Sequence, residues 1–136
     1  MALKFLIVAP PYDARVGGAI VLHKLCNILR NLGYDSYLHP HHKRYRSDNK
    51  NFAKKWFRNI KDQYRRRKGD YGRYAVNPAF ETPVLHTVDD SLLKEVIVVY
   101  PEIVSGNPLN APRVVRWFLH NPGFHTGTVN YGTNEL

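Results

Sequence analysis

At 136 residues the chain is the size of one domain, long enough to bury one ordinary core, and these residues are too few for a complete two-domain enzyme. With 43% hydrophobic and 12% aromatic residues it is expected to fold as a soluble globule, and no apolar run approaches the ~20 residues of a membrane-spanning helix. The net charge of +9 is unevenly placed: 13 basic residues stand against Asp48, Asp62 and Asp70 between Lys43 and Tyr74, a net of +10, while the rest of the chain carries seven basic and eight acidic residues. The sequence is therefore a nearly neutral domain with one basic insert at 43–74.

Lys4 to Ala9 is a continuous apolar run, the pattern of a strand buried on both faces in a parallel sheet, and Pro10 and Pro11 stop it. That apolar stretch is short and ends in two prolines without a small-residue cleavage site, so a signal peptide is not expected. The single cysteine, Cys26, permits no internal disulfide and no cysteine-rich metal site, and fits a reducing cytoplasm. After Gly17 and Gly18, Val21, Leu22, Leu25, Cys26, Ile28, Leu29 and Leu32 recur at helical spacing, and Gly33 stands where a left-handed helix cap belongs. Tyr34 to Leu38 reads as a second strand, which makes the first 40 residues one β-α-β unit.

In the insert, Phe52, Trp56, Phe57, Ile60 and Tyr64 fall within about 140° of arc at ~100° per residue, with most Lys and Arg outside it, so the segment reads as a basic amphipathic helix. Asn77 to Pro83 is a proline-bounded connector. Ser91 to Glu95 reads as a short helical turn, Val96 to Tyr100 as a second continuously apolar strand, and Arg113 to Leu119 as a third. Gly106-Asn107-Pro108 is a turn signal, and the tail from Phe124 to Leu136 has no periodicity. The fold class expected is α/β, a Rossmann-like open parallel sheet flanked by helices.

In such sheets ligands bind beyond the carboxyl ends of the strands. Three loops qualify. Pro10 to Gly18 sets two glycines before a helix amino terminus, where unpaired N–H groups and the helix dipole favour an anion; a simple tight turn is the alternative. Glu102, directly after a strand, either accepts from a hydroxylated ligand or caps a neighbouring backbone segment. His120-Asn121-Pro122-Gly123 follows another strand, and a histidine there either serves a ligand or is structural. His39, His41 and His42 lack a carboxylate or distal ligand at metal spacing, so no metal site is expected. The basic face of the insert has three readings, in order: self-packing with the charge outward, an anionic membrane surface, and nucleic acid.

The strings KFLIVAPPYDARVGGAIVLHKLCNILRNLGYDSYL and VIVVYPEIVSGNPLNAPRVVRWFLHNPG resemble the amino-terminal half of GT-B glycosyltransferases, the retaining enzymes of family four and its bacterial polysaccharide members in particular. Together they cover about half of the chain; the basic insert has no counterpart in the family. The resemblance implies one Rossmann-like, acceptor-side domain over 1–136, with Gly17 and Gly18 near the donor diphosphate and His120 as the catalytic residue facing the donor sugar. It places Asp13, Arg15, Glu102 and Asn121 along the acceptor or cleft. It further implies a nucleotide diphosphate sugar as donor, no additional cofactor, and a glycan or lipid-linked acceptor in polysaccharide biosynthesis. Such enzymes need a second Rossmann-like domain, which these residues do not include, so the chain alone is expected to be inactive. The enzyme is expected in the cytoplasm, peripheral to the inner face of the membrane.

The competing class is a non-enzymatic module that uses Lys54, Lys55, Arg58, Arg65, Arg66 and Arg67 on a membrane or nucleic acid. Flotation with anionic and neutral liposomes checks the membrane reading: recovery with anionic vesicles only is expected, and equal recovery with both removes it.

Overall fold

The computed structural model describes residues 2–42, 60, 74–127 and 129–136; the basic amphipathic helix expected within 43–74 lies outside the described residues, Ile60 and Tyr74 excepted. The described chain runs β1 (Lys4–Ala9), α1 (Gly17–Asn31), β2 (Asp35–Pro40), α2 (Asp90–Glu95), β3 (Val96–Pro101) and β4 (Val114–Trp117). All four strands are parallel, in the order β2-β1-β3-β4. This is an α/β architecture, a parallel sheet flanked by helices. Among the described residues no helix is long and apolar enough to cross a membrane.

Strand alternation gives the sheet two apolar faces. Leu6, Val8, Val96, Val98, Tyr100 and Val114 point to one, where Leu93 of α2 covers them. Ile7, Ala9, Leu38 and Val99 point to the other, under Leu22 and Cys26 of α1. Leu6, Ile7 and Val8 are wholly buried, worth roughly 1.5–3 kcal/mol each in apolar transfer, which explains the unbroken run in the sequence. Helix α1 ends as expected, with Gly33 at φ +88° and its amide bonded to the Arg30 carbonyl. Helix α2 starts at a side-chain cap, the Asp89 carboxylate accepting from the Leu92 amide at 2.8 Å.

Two strand boundaries differ from expectation by two residues, and the others agree within one. Strand β2 continues to Pro40 because alternate N–H groups face opposite edges: those of Leu38 and His41 go to the Pro83 and Ala9 carbonyls respectively, so the N–H that proline lacks would face away from β1. Strand β4 stops at Trp117, short of Leu119, because the Leu119 amide is taken by the Glu102 carboxylate at 3.0 Å instead of by β3.

The aperiodic tail is pinned. Leu136 exchanges backbone hydrogen bonds with Val114 and Arg116, and the Gly106 amide donates to the Asn130 carbonyl. Beneath it the Arg116 guanidinium is buried against Glu135, with side chains 2% and 9% exposed and N–O distances of 2.7 and 2.8 Å. The same guanidinium donates to the Val104 and Gly106 carbonyls, both at 2.8 Å, and lies between the Tyr100 and Tyr131 rings at 5.0 and 4.7 Å. A buried arginine survives only with such extensive pairing. Burial alone would raise the Glu135 carboxyl, but Arg116 and the Gly132 amide outweigh it and the net shift is downward. Its contribution is therefore present at neutral pH and fades as the carboxyl is protonated at acid pH. Replacing Glu135→Gln should cost roughly 3 kcal/mol at pH 7, read as a lowered urea midpoint. An unchanged midpoint would mean that the pair does not hold the tail.

Candidate functional site

The strand order reverses direction between β1 and β3: the chain leaves β1 for β2 on one side, then returns to β3 on the other. At such a switch point the loops after adjacent strands diverge and leave a crevice beyond their carboxyl ends. A cavity of about 450 Å³ occupies that position. Pro10 closes it after β1, Pro101, Glu102 and Ile103 after β3, Leu119 and His120 after β4, and Arg15 to Ala19 at the head of α1, with His125 at one side. Its volume lies in the ~300–1,000 Å³ range of small-molecule sites.

The head of α1 is unusual in leaving its amides to an outside partner. Val16 occupies the cap position with no side-chain cap, and no acidic residue stands in the first turn. The helix dipole then places roughly half a positive charge at this wall of the cavity. Neither glycine is demanded by the packing. A Cβ at Gly17 would meet nothing within 4 Å, and one at Gly18 would meet the Leu119 Cδ1 at 3.4 Å. What the glycines leave is open approach to their backbone from the cavity.

Arg15 adds a second positive group. Its guanidinium is clamped by Asp13, with Nε to Oδ1 and Nη2 to Oδ2 both at 3.0 Å, and the Arg15 amide donates to Oδ1 at 2.9 Å. Hydrogen bonds from that side chain and amide lower the Asp13 carboxyl and raise the guanidinium. Asp13 itself does not line the cavity; it orients the arginine that does.

Glu102 is 5% exposed, and its Oε2 accepts the Leu119 amide, so the backbone-capping alternative is realised. The carboxylate also lines the cavity. His120 stands at the rim, its ring stacked on Phe124 at 5.2 Å and 11°, and edge-on to His125 at 4.6 Å. Asn121 is exposed and outside the lining, its carbonyl accepting from the Phe124 amide. Arg15, Gly17, Gly18, Glu102 and His120 are thus brought to one cavity, whereas Asp13 and Asn121 flank it. The six basic residues from Lys54 to Arg67 lie outside the described residues. Among the described residues no three His, Cys, Asp or Glu side chains are placed to hold a metal ion.

Sequence reasoning missed the support beneath the β1–α1 loop. His23, on the buried face of α1, has its Nε2 2.8 Å from the Pro10 carbonyl and 3.3 Å from the Tyr74 hydroxyl. That hydroxyl also lies within donating distance of the Ala9 and Pro10 carbonyls, at 2.9 and 3.1 Å. The two rings stack at 5.8 Å, and Tyr12 meets His23 edge-on. His23 breaks the apolar helical face and Tyr74 closes the basic insert; neither position marks a contact 51 residues apart. His125 had a weak signal, recurring five residues after His120.

Compared with protein families, curated proteins and solved structures, the chain matches none of them. The site is therefore interpreted through its own geometry.

Burial pushes His23 below the ordinary imidazole range, against the opposing hydrogen bond to Pro10, and its Nδ1 is buried without a partner. The unfolded chain then binds the proton more tightly than the folded one, so stability is full above the ordinary imidazole pKa of about 6.5 and falls as the pH drops below it. Thermal melts between pH 7.5 and 5 should show this decline, and His23→Phe should flatten it. A slope unaltered by the substitution would assign the decline to other groups.

Proposed function

We propose that the chain is the amino-terminal, acceptor-side half of a retaining GT-B glycosyltransferase, and that the cavity is its share of the cleft for a nucleotide diphosphate sugar. One observation carries the reading. At a single switch-point cavity, an uncapped helix head with two unhindered glycines faces a buried carboxylate and a rim histidine.

The two ends of the cavity suit the two ends of such a donor. The Gly17 and Gly18 amides, the α1 dipole and Arg15 favour the diphosphate, and they stabilise the charge that grows on it as the glycosidic bond to the leaving group breaks. Because these donors are already fixed by the helix and by Asp13, little reorganisation is needed as that charge develops. Glu102, held by the Leu119 amide, offers an acceptor for sugar hydroxyls, and His120 stands where it can hydrogen-bond the sugar. In this reading Asn121 belongs to the acceptor side of the rim.

The basic segment has a place in the same scheme. The His41 amide and the Tyr74 hydroxyl both bond the Ala9 carbonyl, each at 2.9 Å, and the Tyr12 amide bonds the Ala75 carbonyl. The segment therefore leaves and rejoins the domain at the strand end that bears the cavity. An anionic membrane that attracts its charge would lie on that side, where a lipid-linked acceptor is presented.

Amide chemical shifts recorded during titration with uridine diphosphate and with inorganic pyrophosphate provide the test. The largest changes are expected at Gly17, Gly18 and Ala19. Gly17→Ala should weaken binding about fivefold or more while leaving the melting temperature level or slightly higher, because its Cβ enters empty space at a helical position. Changes confined to residues away from the cavity, or none at all, would overturn the reading.

A further inference from the structure

The turn after β4 carries an aromatic cluster that the fold does not require. Phe124 is 68% exposed, the most exposed aromatic ring among the described large hydrophobic residues. One face of its ring lies on His120 at an interplanar angle of 11°, and the edge of His125 meets both rings, at 4.6 Å from His120 and 4.9 Å from Phe124. Even with these two neighbours, most of the residue stays exposed to solvent.

The backbone beneath the cluster is already satisfied. The Phe124 amide donates to the Asn121 carbonyl at 3.0 Å and the Gly127 amide to the Gly123 carbonyl at 2.8 Å, with Gly123 and Gly127 in the left-handed region at φ 80° and 68°. Folding thus gains little from an apolar ring at 124, while leaving it in water forgoes its burial. His120 and His125 line the cavity, so the rings form its outer lip, next to the buried Glu102.

We propose that the Phe124–His120–His125 cluster is a saccharide platform, binding a pyranose ring of the acceptor at the mouth of the cavity. The inference rests on the glycosyltransferase reading for the source of that sugar, but the platform is defined by its own chemistry. A pyranose has an apolar C–H face and a rim of hydroxyls that both donate and accept. The exposed Phe124 ring matches the first; the His125 imidazole, with donor and acceptor capacity, matches the second. A nucleobase also stacks on aromatic rings, and the uridine diphosphate arm of the test below distinguishes it; backbone groups that would read its edge are scarce here. The Phe124 and Gly127 amides and the Asn121 and Gly123 carbonyls are engaged within the turn. Phe124 and His125 are accordingly binding residues for the sugar ring.

Saturation-transfer NMR on the whole chain tests this, with methyl glycosides of glucose, galactose, mannose and N-acetylglucosamine as probes and uridine diphosphate as a separate arm. At least one glycoside is expected to receive transfer, strongest on the protons of one C–H face. Phe124→Ala should weaken it on the order of tenfold, and Phe124→Tyr, which keeps the ring, should retain it. The exposure of Phe124 makes both variants safe for folding, which circular dichroism checks. Transfer to none of the glycosides, transfer unaffected by Phe124→Ala, or Phe124-dependent transfer to the uracil protons instead would each overturn the platform. Uridine diphosphate binding without glycoside binding would sink the platform and leave the donor reading standing; the converse would sink the donor reading and leave the platform.

Discussion

The structure around the cavity depends on one buried cation. Arg116 projects from β4 into a space where an unpaired guanidinium would be prohibitively costly, and all three of its nitrogens are hydrogen-bonded: to two carbonyls of the loop after β3 and to the two oxygens of Glu135, with the Tyr100 and Tyr131 rings close by. These partners come from two segments distant in sequence, 100–106 and 131–135. The loop from Pro101 to Gly106 is thereby fixed against the tail, which adds a hydrogen bond from the Tyr131 hydroxyl to the Glu102 carbonyl. Glu102 inherits its position from that loop, and the Leu119 amide inherits its own from Glu102. A charge with no place in the cavity thus sets where the carboxylate and the start of the His120 turn stand.

On the other side the support is neutral and aromatic. His23 and Tyr74 sit under Pro10, so the start of the β1–α1 loop is held by hydrogen bonds to the Ala9 and Pro10 carbonyls, the first of which also accepts from the His41 amide. Burial raises the Tyr74 hydroxyl well above its ordinary range and lowers His23, so both remain uncharged at neutral pH in the folded protein. The two walls of the cavity are therefore built on different physics: ion pairing with full hydrogen bonding under one, desolvated neutral hydrogen bonds under the other. Acid weakens both, the first by protonating Glu135 and the second by charging His23.

What could be read in advance follows from how locally each feature is determined. Strands β1 and β3 are legible because burial on both faces requires an unbroken apolar run, and α1 because its apolar spacing and Gly33 agree on where it ends. The end of β2 was not legible, since the tolerance of Pro40 depends on which edge its missing N–H would face. The end of β4 was hidden for a similar reason: RVVRWFL is apolar to Leu119, but a carboxylate 17 residues away takes the amide that would have continued the ladder. Arg116 stands within that string, and nothing near it in the sequence foretells Glu135. The cavity-lining loops were legible because parallel sheets put ligands beyond strand ends whatever the side chains. That Asp13 serves Arg15, and that Asn121 points elsewhere, required the fold.

The closure of the segment between His41 and Tyr74 on a single carbonyl, that of Ala9, has an evolutionary consequence. A stretch whose two ends are pinned together can change in length at an entropic cost that grows only logarithmically. Length variation between those two anchors therefore costs the domain little, because Ala9, His41 and Tyr74 keep the ends together whatever the number of residues that separates them.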